Sequence, residues 1–79
     1  MMPVYGFLEG DTIGLLVLAD ENETVSQLAR KLQSAARLRA EVAEPFVVLH
    51  NDKVLRPDVT VAAAGIGALD RVDVRREKT

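Results

Sequence analysis

Few side chains in this 79-residue sequence could perform chemistry, and their types and spacing do not form a catalytic set. The chain has one histidine, His50, no cysteine, and two serines, Ser26 and Ser34. A nucleophilic triad, or a metal site built from histidine and thiolate ligands, needs several such groups near one another. We therefore expect no catalytic residue, no metal site and no bound cofactor. We interpret His50 as a partly exposed histidine at the end of a strand.

The carboxylates and glycines predict no chemistry either. Most acidic residues fall in predicted turns or at helix flanks, where water solvates the carboxyl groups and makes paired acid-base catalysis improbable. Gly65-Ile66-Gly67 follows a predicted helical turn instead of opening a helix, so its amides do not form the loop that binds a phosphate group. We expect a protein that is not an enzyme.

Size and composition indicate one small domain, residues 1–79. Hydrophobic residues make up 48% of the chain and charged residues 28%, which is typical of a globular protein. No apolar run approaches the roughly 20 residues that cross a bilayer, and Met1 to Tyr5 lack the basic segment of a signal peptide. These features predict a cytoplasmic protein with no membrane partner. A sequence pI near 5.3 argues against nucleic acid as the partner.

The first half of the chain predicts a β-hairpin followed by a helix. The apolar runs Val4 to Leu8 and Ile13 to Leu18 are separated by a short polar connector that contains a glycine, which is typical of two hairpin strands. Thr24-Val25-Ser26-Gln27 fits a capping box at the start of a helix. Apolar residues at helical spacing extend this helix over about residues 24–39, and Pro45 prevents it from continuing further.

The second half predicts three strands and one helical turn. Thr60 can cap a turn over about residues 60–64, and Gly65 suits the left-handed position that ends it. The order of the elements predicts an α+β fold of the ubiquitin-like β-grasp class. Its mixed sheet of four to five strands packs on one main helix, with the first and last strands parallel at the centre. The three predicted strands are Phe46 to His50, Lys53 to Leu55, and Arg71 to Arg75.

Two of the predicted strands are apolar on both faces. Ile13 to Ala19 contains no polar residue, and neither does Phe46 to Leu49. Neighbouring loops or the tail cover the second face, these apolar strands tolerate exposure, or a protein partner covers the face. Because the register decides which face is exposed, we expect either the following residues or their opposite-face neighbours to bind the partner. The candidates are Leu16, Leu18, Phe46 and Val48.

Several short motifs along the chain resemble one known family. They are Pro3-Val4, Phe7, Asp11, Leu16-Val17 with Asp20, Ala29 in the helix, and Arg56-Pro57-Asp58-Val59-Thr60-Val61-Ala62 with Gly65-Ile66. Taken together they are similar to the small B subunit of toluene monooxygenase-type hydroxylases. The resemblance implies a non-catalytic, ubiquitin-like accessory subunit bound to a large subunit that holds a carboxylate-bridged diiron centre.

A second family also resembles this chain. The ubiquitin-like components of type VII secretion systems share the length and the ending of this chain, and a free adaptor of that kind would act through charged residues such as Arg30, Lys31 and Arg37. Neither hypothesis involves covalent conjugation. The chain ends in Arg75-Arg76-Glu77-Lys78-Thr79, without the terminal Gly-Gly that conjugating and sulfur-carrier proteins activate.

Overall fold

The computed structural model describes residues 1–11, 13–36 and 45–77, which form one five-stranded sheet and one helix. The strand order is β2-β1-β5-β3-β4. β1 and β5 run parallel near the centre, and the other neighbouring strands are antiparallel. The predicted β-grasp fold is confirmed. The elements are β1 Met2–Leu8, β2 Leu15–Ala19, α1 Val25–Ala36, β3 Phe46–His50, β4 Lys53–Leu55 and β5 Arg71–Arg76.

The first hairpin is shifted relative to its prediction. β1 begins at Met2, which pairs with Ala19, and β2 begins only at Leu15. Ile13 stays in the connector because its N–H donates to the side chain of Asp11 at 3.1 Å.

The helix α1 begins with the predicted capping box. The N–H of Thr24 donates to the Gln27 side chain at 2.8 Å, and the N–H of Gln27 donates to the Thr24 hydroxyl at 3.1 Å. These two bonds satisfy backbone donors that the first helical turn leaves without partners. The helix is described to Ala36, so the predicted end near residue 39 lies outside the described residues.

The segment before β5 forms the predicted helical turn. The Thr60 hydroxyl accepts from the N–H of Ala63 at 3.0 Å, and Gly65 takes a left-handed conformation with φ +80°. The N–H of Ile66 donates a hydrogen bond to the carbonyl of Val61 at 3.3 Å. This is the bonding of a Schellman motif, and its accompanying apolar residue, Ile66, is buried.

The core fills the space between α1 and one face of the sheet. Each fully buried valine or leucine contributes about 1.5–3 kcal/mol relative to an exposed one. Because this core uses one face only, the side chains on the other face of every strand point away from the helix. The buried apolar residues are Val4, Leu8, Ala19, Val25, Leu28, Ala29, Leu32, Ala36, Val48, Val61, Ile66, Val72 and Val74.

Candidate docking face

The sheet face opposite α1 carries no second layer of structure within residues 1–11, 13–36 and 45–77. Side chains alternate along each strand, so the buried positions identify the residues that point to this side. We call this surface the open face. Its members are Pro3, Tyr5 and Phe7 of β1, Leu16 and Leu18 of β2, Arg71, Asp73 and Arg75 of β5, Val47 and Leu49 of β3, and Val54 of β4.

One end of the open face is an apolar patch formed by β1 and β2. Tyr5 pairs with Leu16 and Pro3 pairs with Leu18, so the four side chains stand next to one another. The exposed fractions are 57% for Leu16, 56% for Leu18 and 42% for Tyr5. We call these four residues the leucine patch. Both leucines are therefore accessible, and their contact with a partner stays a prediction.

The predicted contact residues of β3 lie on the other side of the sheet. Val48 pairs with Val74, which faces the helix, so Val48 belongs to the core and is 4% exposed. Phe46 is half-buried and packs against the same core. The prediction that Val48 offers an exposed contact is wrong. Its neighbours Val47 and Leu49 point to the open face instead.

The opposite end of the open face is a second, smaller apolar area. Leu49 pairs with Val54 across β3 and β4, and Val54 is exposed. Val47 and Leu49 are half-buried, because β3 has a neighbouring strand on each side. We call Val47, Leu49 and Val54 the valine patch.

A charged stripe on β5 separates the two patches. The guanidinium carbon of Arg71 lies 4.1 Å from the centre of the Phe7 ring, within the range of a cation–π contact. Arg71 Nε donates to Asp73 Oδ1 at 3.0 Å, and Arg75 Nη2 lies 3.8 Å from Asp73 Oδ2. Two guanidinium groups therefore share one carboxylate, and the side chain of Arg71 is held in place from two directions.

The outer edge of β2 can be located from the bonds of β1. Pro3 has no N–H, and its carbonyl accepts from the loop before β5 at 2.6 Å; the N–H of Tyr5 donates to the same loop at 2.9 Å. Residues directly opposite one another in an antiparallel pair alternate between bonded and non-bonded pairs. The partners of Pro3 and Tyr5, which are Leu18 and Leu16, therefore direct their backbone groups to the outer edge of the sheet.

Lys31 covers part of this edge. Its ammonium group donates to the carbonyl of Leu18 at 2.7 Å and to Glu23 Oε1 at 3.0 Å. Glu23 Oε1 also accepts from the N–H of Asp20 at 3.0 Å. A lysine in this position hinders the pairing of another strand with β2. The edge is thus less accessible than the open face beside it.

His50 is buried, so its interpretation as a partly exposed residue is wrong. His50 is 8% exposed, and its Nε2 lies 2.9 Å from Asp70 Oδ2. Asp70 Oδ2 also accepts from the N–H of Gly67 at 2.8 Å. The Gly67 amide and the His50 ring hold the pKa of Asp70 below its usual value. The pair fixes the loop before β5 to the end of β3.

The described residues contain no metal-binding cluster and no helix long enough to cross a membrane. No group of three or more histidine, aspartate or glutamate side chains is arranged to hold a metal ion in the described ranges. The helix that the structure describes is too short to cross a bilayer.

Comparison with known proteins identifies one family and several similar folds. The family model described as toluene-4-monooxygenase system protein B matches residues 1–75. A chain of the toluene 4-monooxygenase HD complex with the inhibitor 4-bromobenzoate is 26% identical, with a TM-score of 0.85; the match covers 96% of this chain and 98% of the other. No curated protein sequence matches this chain significantly.

Two further solved structures share the fold. Ubiquitin from Caldiarchaeum subterraneum is 14% identical, with a TM-score of 0.77, and 99% of this chain and 95% of the other are covered. A designed protein based on human erythrocytic ubiquitin is 25% identical, with a TM-score of 0.74, and the coverage is 100% and 95%. The high coverage in both cases places the whole described domain in the ubiquitin-like class.

Proposed function

We propose that this chain docks through its open face onto the large diiron subunit of its complex, because it belongs to the toluene-4-monooxygenase system protein B family. The chain is an accessory subunit of a multicomponent monooxygenase. The family match favours this hypothesis over a type VII secretion adaptor. In our proposal the chain itself is not catalytic, and the oxygen chemistry takes place on the large subunit with an aromatic hydrocarbon as the substrate.

The observation that carries the proposal is the leucine patch. Leu16 and Leu18 lie on the same face of β2 and are each more than half exposed, next to the exposed Tyr5. Adjacent exposed apolar side chains on a small domain mark a surface that is buried in a complex. Tyrosine is also enriched among residues that dominate binding energy.

The free energy gained by burying the leucine patch indicates how far the interface must extend. Burying two leucines yields about 3–6 kcal/mol, whereas association costs about 4–15 kcal/mol. The leucine patch alone would give a weak complex. A stable complex buries about 800 Å² on each partner, so we expect the contact to continue across the charged stripe to the valine patch.

The charged stripe would set the orientation of the docked subunit. Arg71 and Arg75 share the carboxylate of Asp73 at the centre of the open face, between the two apolar patches. Charged groups inside an interface contribute more to orientation and selectivity than to affinity. A partner that matches both patches must therefore also present polar groups to this stripe in one register.

Co-purification with the large subunit tests the proposal. We expect Leu16→Asp and Leu18→Asp each to abolish co-purification while circular dichroism remains that of the parent. Ala35→Asp is the matched control, because it adds the same charge to an exposed position of α1 on the other side of the molecule. Retention of the large subunit by both leucine variants would contradict the proposal.

The charged surface of α1 is tested in the same assay. Arg30→Ala removes a charge from an exposed position of the helix, where the adaptor hypothesis places the contact. We expect this variant to bind the large subunit as the parent does. The cytoplasmic location and the absence of covalent conjugation stay predictions from the sequence.

A further inference from the structure

Leu69, in the loop before β5, combines high exposure with an unfavourable backbone conformation. It is 60% exposed and has φ +64°. This left-handed region is disfavoured for residues with a Cβ and is usually occupied by glycine or asparagine. A leucine here therefore reduces stability without filling the core. Strained residues of this kind cluster at functional sites.

The backbone of Leu69 lies next to the leucine patch. Its N–H donates to the carbonyl of Pro3 at 2.6 Å. The backbone of Leu69 therefore lies beside β1, two residues before the start of β5 and on the same side of β1 as β5. On the other side of β1, Pro3 pairs with Leu18. The backbones of Leu18, Pro3 and Leu69 thus lie side by side in three adjacent chain segments, which we call the row, and Leu16 with Tyr5 lies next to it.

We propose that Leu69 binds the partner and that this row receives one apolar helix of the large subunit; this inference rests on the function proposed above. Neighbouring strands lie about 4.8 Å apart, so three adjacent segments span about 10 Å. An α-helix with its side chains is about 10–12 Å wide. A single helix that presents apolar residues at i, i+3 and i+4 would bury the whole row.

The charged residues around the row favour a partner helix with basic residues. Residues 1–29 include five carboxylates and no lysine or arginine. Asp20 follows the last residue of β2, so a carboxylate borders the row at the end formed by Leu18. The cations next to the row, Lys31 and Arg71, are each bonded to a carboxylate. The partner helix therefore carries lysine or arginine beside its apolar residues.

The strain at Leu69 allows a test in which stability and binding change in opposite directions. Leu69→Gly removes the side chain and replaces it with the residue that suits the left-handed region. We expect the Tm of the free chain to equal or exceed that of the parent. The affinity for the purified large subunit should fall about 10-fold or more, as expected from the loss of one buried leucine.

Two further variants control this result. Ala68→Gly makes a similar change at the adjacent exposed residue and should leave the affinity unchanged. Leu69→Met keeps an apolar side chain of similar size and should bind within a few-fold of the parent. Binding of the parent should also weaken as salt is raised, since salt screens the attraction between Asp20 and the basic residues of the partner helix.

The outcomes separate this inference from the proposed function. If Leu16→Asp abolishes binding and Leu69→Gly leaves the Kd unchanged, the open face is the docking surface and the role of Leu69 is refuted. If neither variant changes the Kd, both proposals are wrong. Weak binding by Leu69→Gly, parental binding by Leu69→Met and a Tm no lower than that of the parent would together support the inference.

Discussion

β2 is apolar throughout and β3 is apolar from Phe46 to Leu49, yet the residues predicted to bind a partner face outwards in β2 and towards the core in β3. β2 turns Leu16 and Leu18 to the open face, whereas β3 turns Val48 to the core and Val47 to the open face. Apolar composition therefore predicts a strand but not its orientation. Pairing with a neighbour decides the orientation, because Val48 lies opposite the buried Val74.

The two strands also differ in how much of their open-face side chains is covered. β2 lies at the edge of the sheet and has one neighbouring strand, while β3 lies between β5 and β4. Leu16 and Leu18 are exposed, but Val47 and Leu49 are half-buried. The edge strand thus offers more apolar area to a partner, so we place the main contact on the leucine patch.

The largest expected effect separates the two faces of β3. Val48→Asp should destabilise the domain by at least about 4 kcal/mol, because it buries a carboxylate in an apolar core. Val47→Asp, one residue away on the open face, should cost about 1 kcal/mol or less. Urea unfolding followed by circular dichroism measures both. Equal losses for the two variants would mean that the assigned faces are wrong.

Gly6 provides the same comparison within β1. Its helix-facing side is filled by the side chain of Leu32, so a methyl group there would overlap the leucine. Gly6→Ala should therefore destabilise the domain by about 1–3 kcal/mol. Chemical denaturation of Gly6→Ala, Leu32→Val and the double variant gives the coupling between the two positions. Purely additive effects would contradict this contact.

The pH dependence of stability tests the contact at the end of β3. The pKa of Asp70 is lowered in the folded state from its ordinary value of 3.8. A lowered carboxyl pKa contributes stability above the unfolded value and loses it as the pH falls through the folded value. Asp70→Asn should therefore be less stable than the parent at neutral pH, and the difference should shrink below about pH 3.8. A constant difference across this range would contradict the assignment.

The smallest expected effect concerns the edge of β2. Lys31→Met removes a partly exposed ion pair with Glu23, which is worth about 1 kcal/mol or less. It also uncovers the carbonyl of Leu18, so we expect more self-association at high protein concentration. Analytical ultracentrifugation compares it with Arg30→Met, which changes the neighbouring helix residue. Equal association by the two variants would show that Lys31 does not protect the edge.

The sequence predicts the local elements of this fold better than its long-range contacts. The capping box at Thr24 and the left-handed Gly65 are recognisable because each depends on residues close in the chain. The hydrogen bond between His50 and Asp70 spans 20 residues, and the one between Lys31 and Leu18 spans 13. No local sequence pattern predicts either bond.

The candidate site was predictable only in part for the same reason. The uninterrupted apolar runs identified β2 and β3 as unusual, and the exposure of two leucines agrees with the expectation for β2. The orientation of β3 depends on its pairing with β5, which lies far along the chain. The strained backbone of Leu69 has no sequence signal, because leucine is not a residue that favours a left-handed conformation.

Hydroxyl-radical footprinting of the assembled complex tests the central claim most directly, because it reports the solvent exposure of individual side chains. We compare the free chain with the chain bound to the large subunit. The account predicts strong protection of Tyr5, Leu16 and Leu18 in the complex and little change on the exposed side of α1. Unchanged oxidation at all three residues, or protection confined to α1, would contradict docking through the open face.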